Sequence, residues 1–282
     1  MFLKKIIKSL ISNPVNKNNF QCQDQVPFIE GKRGIEIKTS REIKLITESA
    51  KIVSAVLNEV KKEVKSNVST LDINEFAEKL VRDMGAIPSY KGYNGYPTAT
   101  CISINNEVVH GIPNKNKVIK EQDLIKIELG VYLDGYHANK SIIVPVGSIS
   151  KNAKKLIKTN EEAINQVINN IKPGNTLLDI AGNIEDIVKL NGFSVVEDYT
   201  GSGIGRNLHE EPAIYNFRTN EIPNIVLKEG MTFTINPIIN EGSKFCKTLD
   251  NKWTVVTKDC KLSSNLRHTV AVAKNGCEVL TK

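Results

Sequence analysis

The chain has 282 residues, enough for one large domain or two smaller ones with a sizeable buried core. With 40% apolar and 24% charged residues it has a soluble, globular composition, which excludes a disordered or collagen-like chain. The net charge is +7, and +4 of it falls in residues 1–35, where Lys4, Lys5, Lys8, Lys17, Lys32 and Arg33 face only Asp24 and Glu30, so the body carries an ordinary surface and the N-terminus is the basic feature.

The first twelve residues, MFLKKIIKSLIS, place Phe2, Leu3, Ile6, Ile7, Leu10 and Ile11 at helical spacing with lysines between, the pattern of an interfacial amphipathic helix. Lys8 interrupts the apolar run, so it reads neither as a membrane span nor as the apolar region of a signal peptide. Residues 13–25 are polar and aperiodic, a linker, and residues 1–33 together form a basic arm ahead of a domain over 34–282. Thr39 and Glu42 form a capping box that opens a helix with Ile43, Ile46, Ala50, Val53 and Leu57 on one side. A second helix runs through STLDINEFAEKLVRDMG and stops at Gly85. Residues 98–146 are strand-rich, and within them Asp134-Gly135 predicts a two-residue hairpin turn. That turn sets residue 130 opposite 139 and 128 opposite 141, which makes Glu128 and Asn139 diagonal neighbours on one face.

A third helix, from about Asn152 to Ile171, is stopped by Pro173-Gly174. The following NTLLDIAGNIEDIVKLNG repeats the second helix: Asp179, Ile180, Ile187, Val188 and Gly192 lie 107 positions after Asp72, Ile73, Leu80, Val81 and Gly85. Strand-rich sequence then fills 194–273. Helix, helix, strands, repeated once, predicts an α+β fold of two pseudo-symmetric halves with a site where they meet. The five cysteines, Cys22, Cys101, Cys246, Cys260 and Cys277, are odd in number, scattered and free of any C-x-x-C pair, so they read as reduced thiols without a zinc or disulfide framework.

Four segments, GYNGYPTATCISINNEVVHGIP (92–113), GYHANKS (135–141), TGSGIGRNLHEEP (200–212) and MTFTINP (231–237), with the closing RHTVAVAKNGCEVLT, resemble the type I methionine aminopeptidases of the pita-bread (creatinase/aminopeptidase) fold. The resemblance spans about residues 34–282, with the motifs in order. It implies a metal pair held by two aspartates of the hairpin, a histidine of the Gly-x-Gly-Ile-Gly turn and two glutamates of the last strands, yet the matching positions hold Glu128, Asn139, Ser202, Asn236 and Arg267. Hard divalent cations need a negative oxygen cage, and Glu128 with Arg267 sum to no charge at all. Without metal there is no acidified water to attack a peptide. The resemblance also implies that Tyr93, Tyr96, Cys101 and Trp253 wall a methionine pocket and that His110 and His209 contact substrate, while Leu208 and Asn94 depart from the usual aromatic and histidine.

The expected reading is therefore a methionine aminopeptidase-like protein without hydrolase activity, kept for binding peptide or nascent-chain N-termini or the ribosome, with no cofactor. The alternative is an active enzyme removing initiator methionine with an altered site holding Co, Mn, Fe or Zn; a folded relic is a third possibility. A direct Glu128–Arg267 ion pair, with Asn139 and Asn236 hydrogen-bonding around it, is expected to close the site. His137 and His268 read as structural, and a His110/His209/His268 zinc site, a Cys101–His110 nucleophile pair and a phosphate-binding GSGIG turn each find little support in the spacing. The arm suits contact with a ribosome or an anionic membrane surface through residues 1–30. No nucleic-acid fold motif is present, and a monomer in the cytoplasm or an organelle stroma is expected.

Overall fold

The computed structural model describes residues 34–220 and 223–282. The expectations for the arm, including the amphipathic residues 1–12 and Cys22, lie outside the described residues.

Helix α1 (Ser40–Glu63) starts where Thr39 and Glu42 close the expected capping box, Thr39 Oγ1 accepting from the Glu42 N–H while the Glu42 carboxylate accepts from the Thr39 N–H. Ile46, Ala50, Val53 and Leu57 lie fully buried along one stripe. Helix α2 (Thr70–Asp83) carries a second capping box, Ser69 with Asp72, and Gly85 follows it at φ 76°. Next come β1 (Ile87–Pro88), β2 (Thr100–Ile104), β3 (Glu107–Val109) and the long hairpin of β4 (Leu124–Leu133) and β5 (Tyr136–Pro145). β4 lies between β1 and β2 and also pairs β5, all antiparallel. The hairpin turns at Asp134-Gly135, both at positive φ, and its register places Gly130 opposite Asn139 and Glu128 opposite Ser141, as the turn chemistry dictates.

The second half repeats the plan. Helix α3 (Lys151–Asn170) precedes α4 (Leu177–Leu190), which opens on a Thr176–Asp179 capping box and is followed by Gly192 at φ 78°. The 107-residue offset recurs in the strands after each helix, since β6 (Ser194–Val195) follows α4 as β1 follows α2. Then come β7 (Gly201–Gly203), β8 (Glu210–Ile214), β9 (Thr232–Ile235), β10 (Ile238–Asn240), β11 (Cys246–Thr248), β12 (Val255–Thr257), β13 (Ser263–Asn265), β14 (His268–Ala273) and β15 (Gly276–Val279). Five of these form a sheet in the order β15-β14-β9-β7-β8.

Each half has its own apolar core. In the first, α1 and α2 cover the hairpin through residues such as Leu57, Ile73, Ile127 and Leu129; in the second, α3 and α4 cover the other sheet through Leu156, Ile184, Phe233 and Val270. The halves join where β5 runs beside β14: the Ser141 N–H donates to the Arg267 carbonyl at 3.2 Å, and Thr269 Oγ1 donates to the Asn139 carbonyl at 2.8 Å. That seam brings Glu128, Asn139 and Arg267 into one neighbourhood. No described helix is long and apolar enough to cross a membrane.

Candidate functional site

Glu128 sits on β4 and Arg267 just ahead of β14, and both are buried, with 6% and 8% exposure. Arg267 Nη1 donates to Glu128 Oε1 at 2.5 Å. The expected ion pair is thus direct. A charge pair this far from water is stabilised by satisfying its other donors and acceptors, of which Arg267 Nε stays buried without a partner. Tyr90 contributes its phenol, donating to the same Glu128 oxygen at 2.6 Å. Burial, reinforced by the neighbouring carboxylate, pushes the Tyr90 hydroxyl well above its ordinary pKa, so it remains a proton donor. Asn236, in the orientation that satisfies both ends of its amide, accepts from Arg267 Nη2 at 2.7 Å and donates to the Leu266 carbonyl at 3.2 Å.

Asn139 departs from expectation. It does not bond to the pair: its Oδ1 accepts from Thr269 Oγ1 at 3.3 Å, and its Nδ2 is buried without a partner. The cause is the seam itself, because the Thr269 hydroxyl lies between the Asn139 N–H (3.0 Å) and carbonyl (2.8 Å) and draws the residue toward β14. Ser202 stands on β7 with its N–H donating to Thr234 Oγ1 at 3.1 Å.

The residues expected to wall the pocket come together. Tyr96, Cys101, Leu208, Ile204 and Tyr90 form one buried cluster, with Tyr93 and Trp253 packed against it. Cys101 faces Glu128 across the β2–β4 register, which ties this wall to the ion pair. Trp253 meets Tyr96 edge-on at 5.0 Å between ring centroids and His110 at 6.1 Å. His209 Nδ1 lies 2.8 Å from the Tyr93 hydroxyl. Burial pulls the His209 pKa down to about 4, with Arg267 adding to the effect, and burial lowers that of His110 as well, so both rings are neutral near pH 7. Burial, with Glu128 opposite, pushes the Cys101 thiol far up, which removes the thiolate that a Cys101–His110 nucleophile pair would need. His137 bonds to Ser89 and His268 to Thr281.

Among the described residues, no group of three or more His, Cys, Asp or Glu side chains is placed to hold a metal ion. The donors at the five positions are one carboxylate already engaged by a guanidinium, two amides, a hydroxyl and a permanent cation. That set does not fit a pair of divalent ions. Two contributors escaped sequence reasoning. Tyr90 reaches Glu128 because Pro88 pairs with Val131, and a two-residue strand leaves no periodic signal. Thr269 acts through a contact between the halves, which no local pattern announces.

Residues 44–274 match the profile of metallopeptidase family M24. The chain belongs to that family. It is 41% identical over 246 residues to methionine aminopeptidase 1 of Bacillus subtilis, covering 87% of this chain and 98% of the relative. It is 39% identical over 248 residues to the methionine aminopeptidase of Escherichia coli K12, covering 88% and 94%. In three dimensions it resembles the methionine aminopeptidase of Thermotoga maritima, with a TM-score of 0.86 at 36% identity over 88% of this chain and 100% of that one. The fold of the prolidase of Pyrococcus horikoshii also superposes, with a TM-score of 0.71 at 23% identity over 87% of this chain and 63% of that one. The pita-bread fold of family M24 is thereby established for this member.

Proposed function

We propose that this M24 member is a methionine aminopeptidase-like protein whose metal positions have been replaced by an internal ion pair, and that it binds peptide N-termini without hydrolysing them. The observation that carries the reading is the Arg267–Glu128 contact at 2.5 Å, completed by Tyr90. Peptide hydrolysis in this chemistry depends on a metal-bound water, and a guanidinium fixed among the donors repels the ions that would acidify it. The apolar and aromatic cluster of Tyr93, Tyr96, Cys101 and Trp253, beside neutral His110 and His209, has the chemistry suited to a flexible thioether side chain. The basic residues 1–30 would add contact with a ribosome or an anionic surface.

A second reading is favoured by the relatives: those at about 40% identity over most of the chain are called methionine aminopeptidases. On that reading the chain removes initiator methionine with an altered metal complement. Elemental analysis after purification with added cobalt, manganese or iron, run beside release of methionine from a Met-Ala-Ser peptide, separates the two. The expected result is no stoichiometric metal and no turnover, together with saturable peptide binding. Two ions per chain, or turnover abolished by a chelator, would establish the second reading instead.

A further inference from the structure

The loop that carries His209 is held from beneath by a segment remote in sequence. Lys38 lies just ahead of α1 with its side chain 1% exposed, and its Nζ donates to Glu36 Oε2 at 2.7 Å and to Glu210 Oε2 at 2.6 Å. The other Glu210 oxygen accepts from the Asn207 N–H at 3.0 Å, so the charge on Lys38 reaches the backbone of the loop through one carboxylate. Gly205 makes room for this: a Cβ there would lie 2.4 Å from Lys38 Cε. A second tether runs parallel, with Arg206 Nη2 3.2 Å from Glu42 Oε1 and its guanidinium over the Tyr136 ring at 5.0 Å. Between these anchors the loop presents His209 to Tyr93 on the pocket wall.

We infer that Lys38 is a positioning residue for the pocket: by clamping Glu210 it fixes the loop 205–210 and so sets the place of His209 opposite Tyr93. The inference rests on reading His209 as part of the pocket wall. Lys38 is almost wholly withdrawn from water, so loss of its ammonium leaves the Glu210 carboxylate unpaired in a low-dielectric setting, and the carboxylate must move toward solvent and take the loop with it. Glu36 is more exposed and lies outside the loop, so its loss should not displace His209.

The test is nitrogen NMR of the full chain labelled at histidine, with the His209 signal assigned by its disappearance in His209→Gln and the His268 signal as a reference for the remaining fold. In Lys38→Met the His209 Nδ1 signal is expected to lose its hydrogen-bonded position while His268 stays in place, and in Glu36→Gln His209 is expected to be unmoved. If Lys38→Met does not fold, Lys38→Met with Glu210→Ala, which leaves no unpaired buried charge and no carboxylate to hold the Asn207 N–H, is expected to show the same displacement. A His209 signal unmoved in either folded Lys38 variant, or moved equally by Glu36→Gln, overturns the inference. Binding of the Met-Ala-Ser peptide to the unmodified protein separately tests the pocket reading, since its absence would reject that reading while leaving the histidine signals to report on the clamp.

Discussion

Glu128 Oε1 receives two protons' worth of hydrogen bonding, one from Arg267 and one from Tyr90, and Arg267 is in turn held by Asn236. The energetics of such a group are asymmetric. Replacing a buried charge pair by apolar groups is often close to neutral, whereas deleting one member leaves an unpaired charge and costs about 3–5 kcal/mol. Arg267→Met is therefore expected to destabilise the chain strongly, and Arg267→Met combined with Glu128→Gln to recover much of the loss, because the amide no longer needs a cation. Urea unfolding of the wild type and the two variants measures this. A double variant as unstable as Arg267→Met alone would mean that the guanidinium matters for packing and not for charge.

At the scale of elements, two histidines tie strands in place, and burial disfavours the charged form of each. His137 on β5 bonds Ser89 just beyond β1, and burial pulls its pKa down to about 3; His268 at the start of β14 bonds Thr281 near the C-terminus, and burial pulls its pKa to about 4. Both folded-state values lie below the unfolded value of about 6.5, so the stability they contribute is full above that pH and is lost as the pH falls toward 4 and then 3. A progressive fall in urea midpoint between pH 6.5 and 4 is expected, and His268→Gln should flatten part of it; an equally steep fall in that variant would place the acid-labile interaction elsewhere. Much of this scaffold was legible before any coordinates. The capping boxes at Thr39, Ser69 and Thr176 are local hydrogen-bond patterns, and the Asp134-Gly135 turn fixes a register by itself. What escaped is non-local. Tyr90 arrives by way of a two-residue strand, Asn139 is diverted by a threonine 130 positions away, and Lys38 finds Glu210 across 172. No sequence periodicity encodes partners at such separations, whereas the motif resemblance implies that the positions of Glu128 and Arg267 share one site.

Across the whole molecule, two halves with separate cores meet along β5 and β14, and the only charges carried into that seam by the five key positions are those of Glu128 and Arg267. Their counter-charge is covalently part of the chain. On the proposed reading, a protein whose halves are stitched by its own side chains would be finished once it has folded, with no loading step and no competition between ions for the place. Its melting temperature is expected to be the same in the presence of a strong chelator, of manganese or of cobalt, as read by calorimetry, and a drop on chelation would contradict this. The cell would then be free to hold this protein at constant abundance and in a single state through scarcity or excess of transition metals.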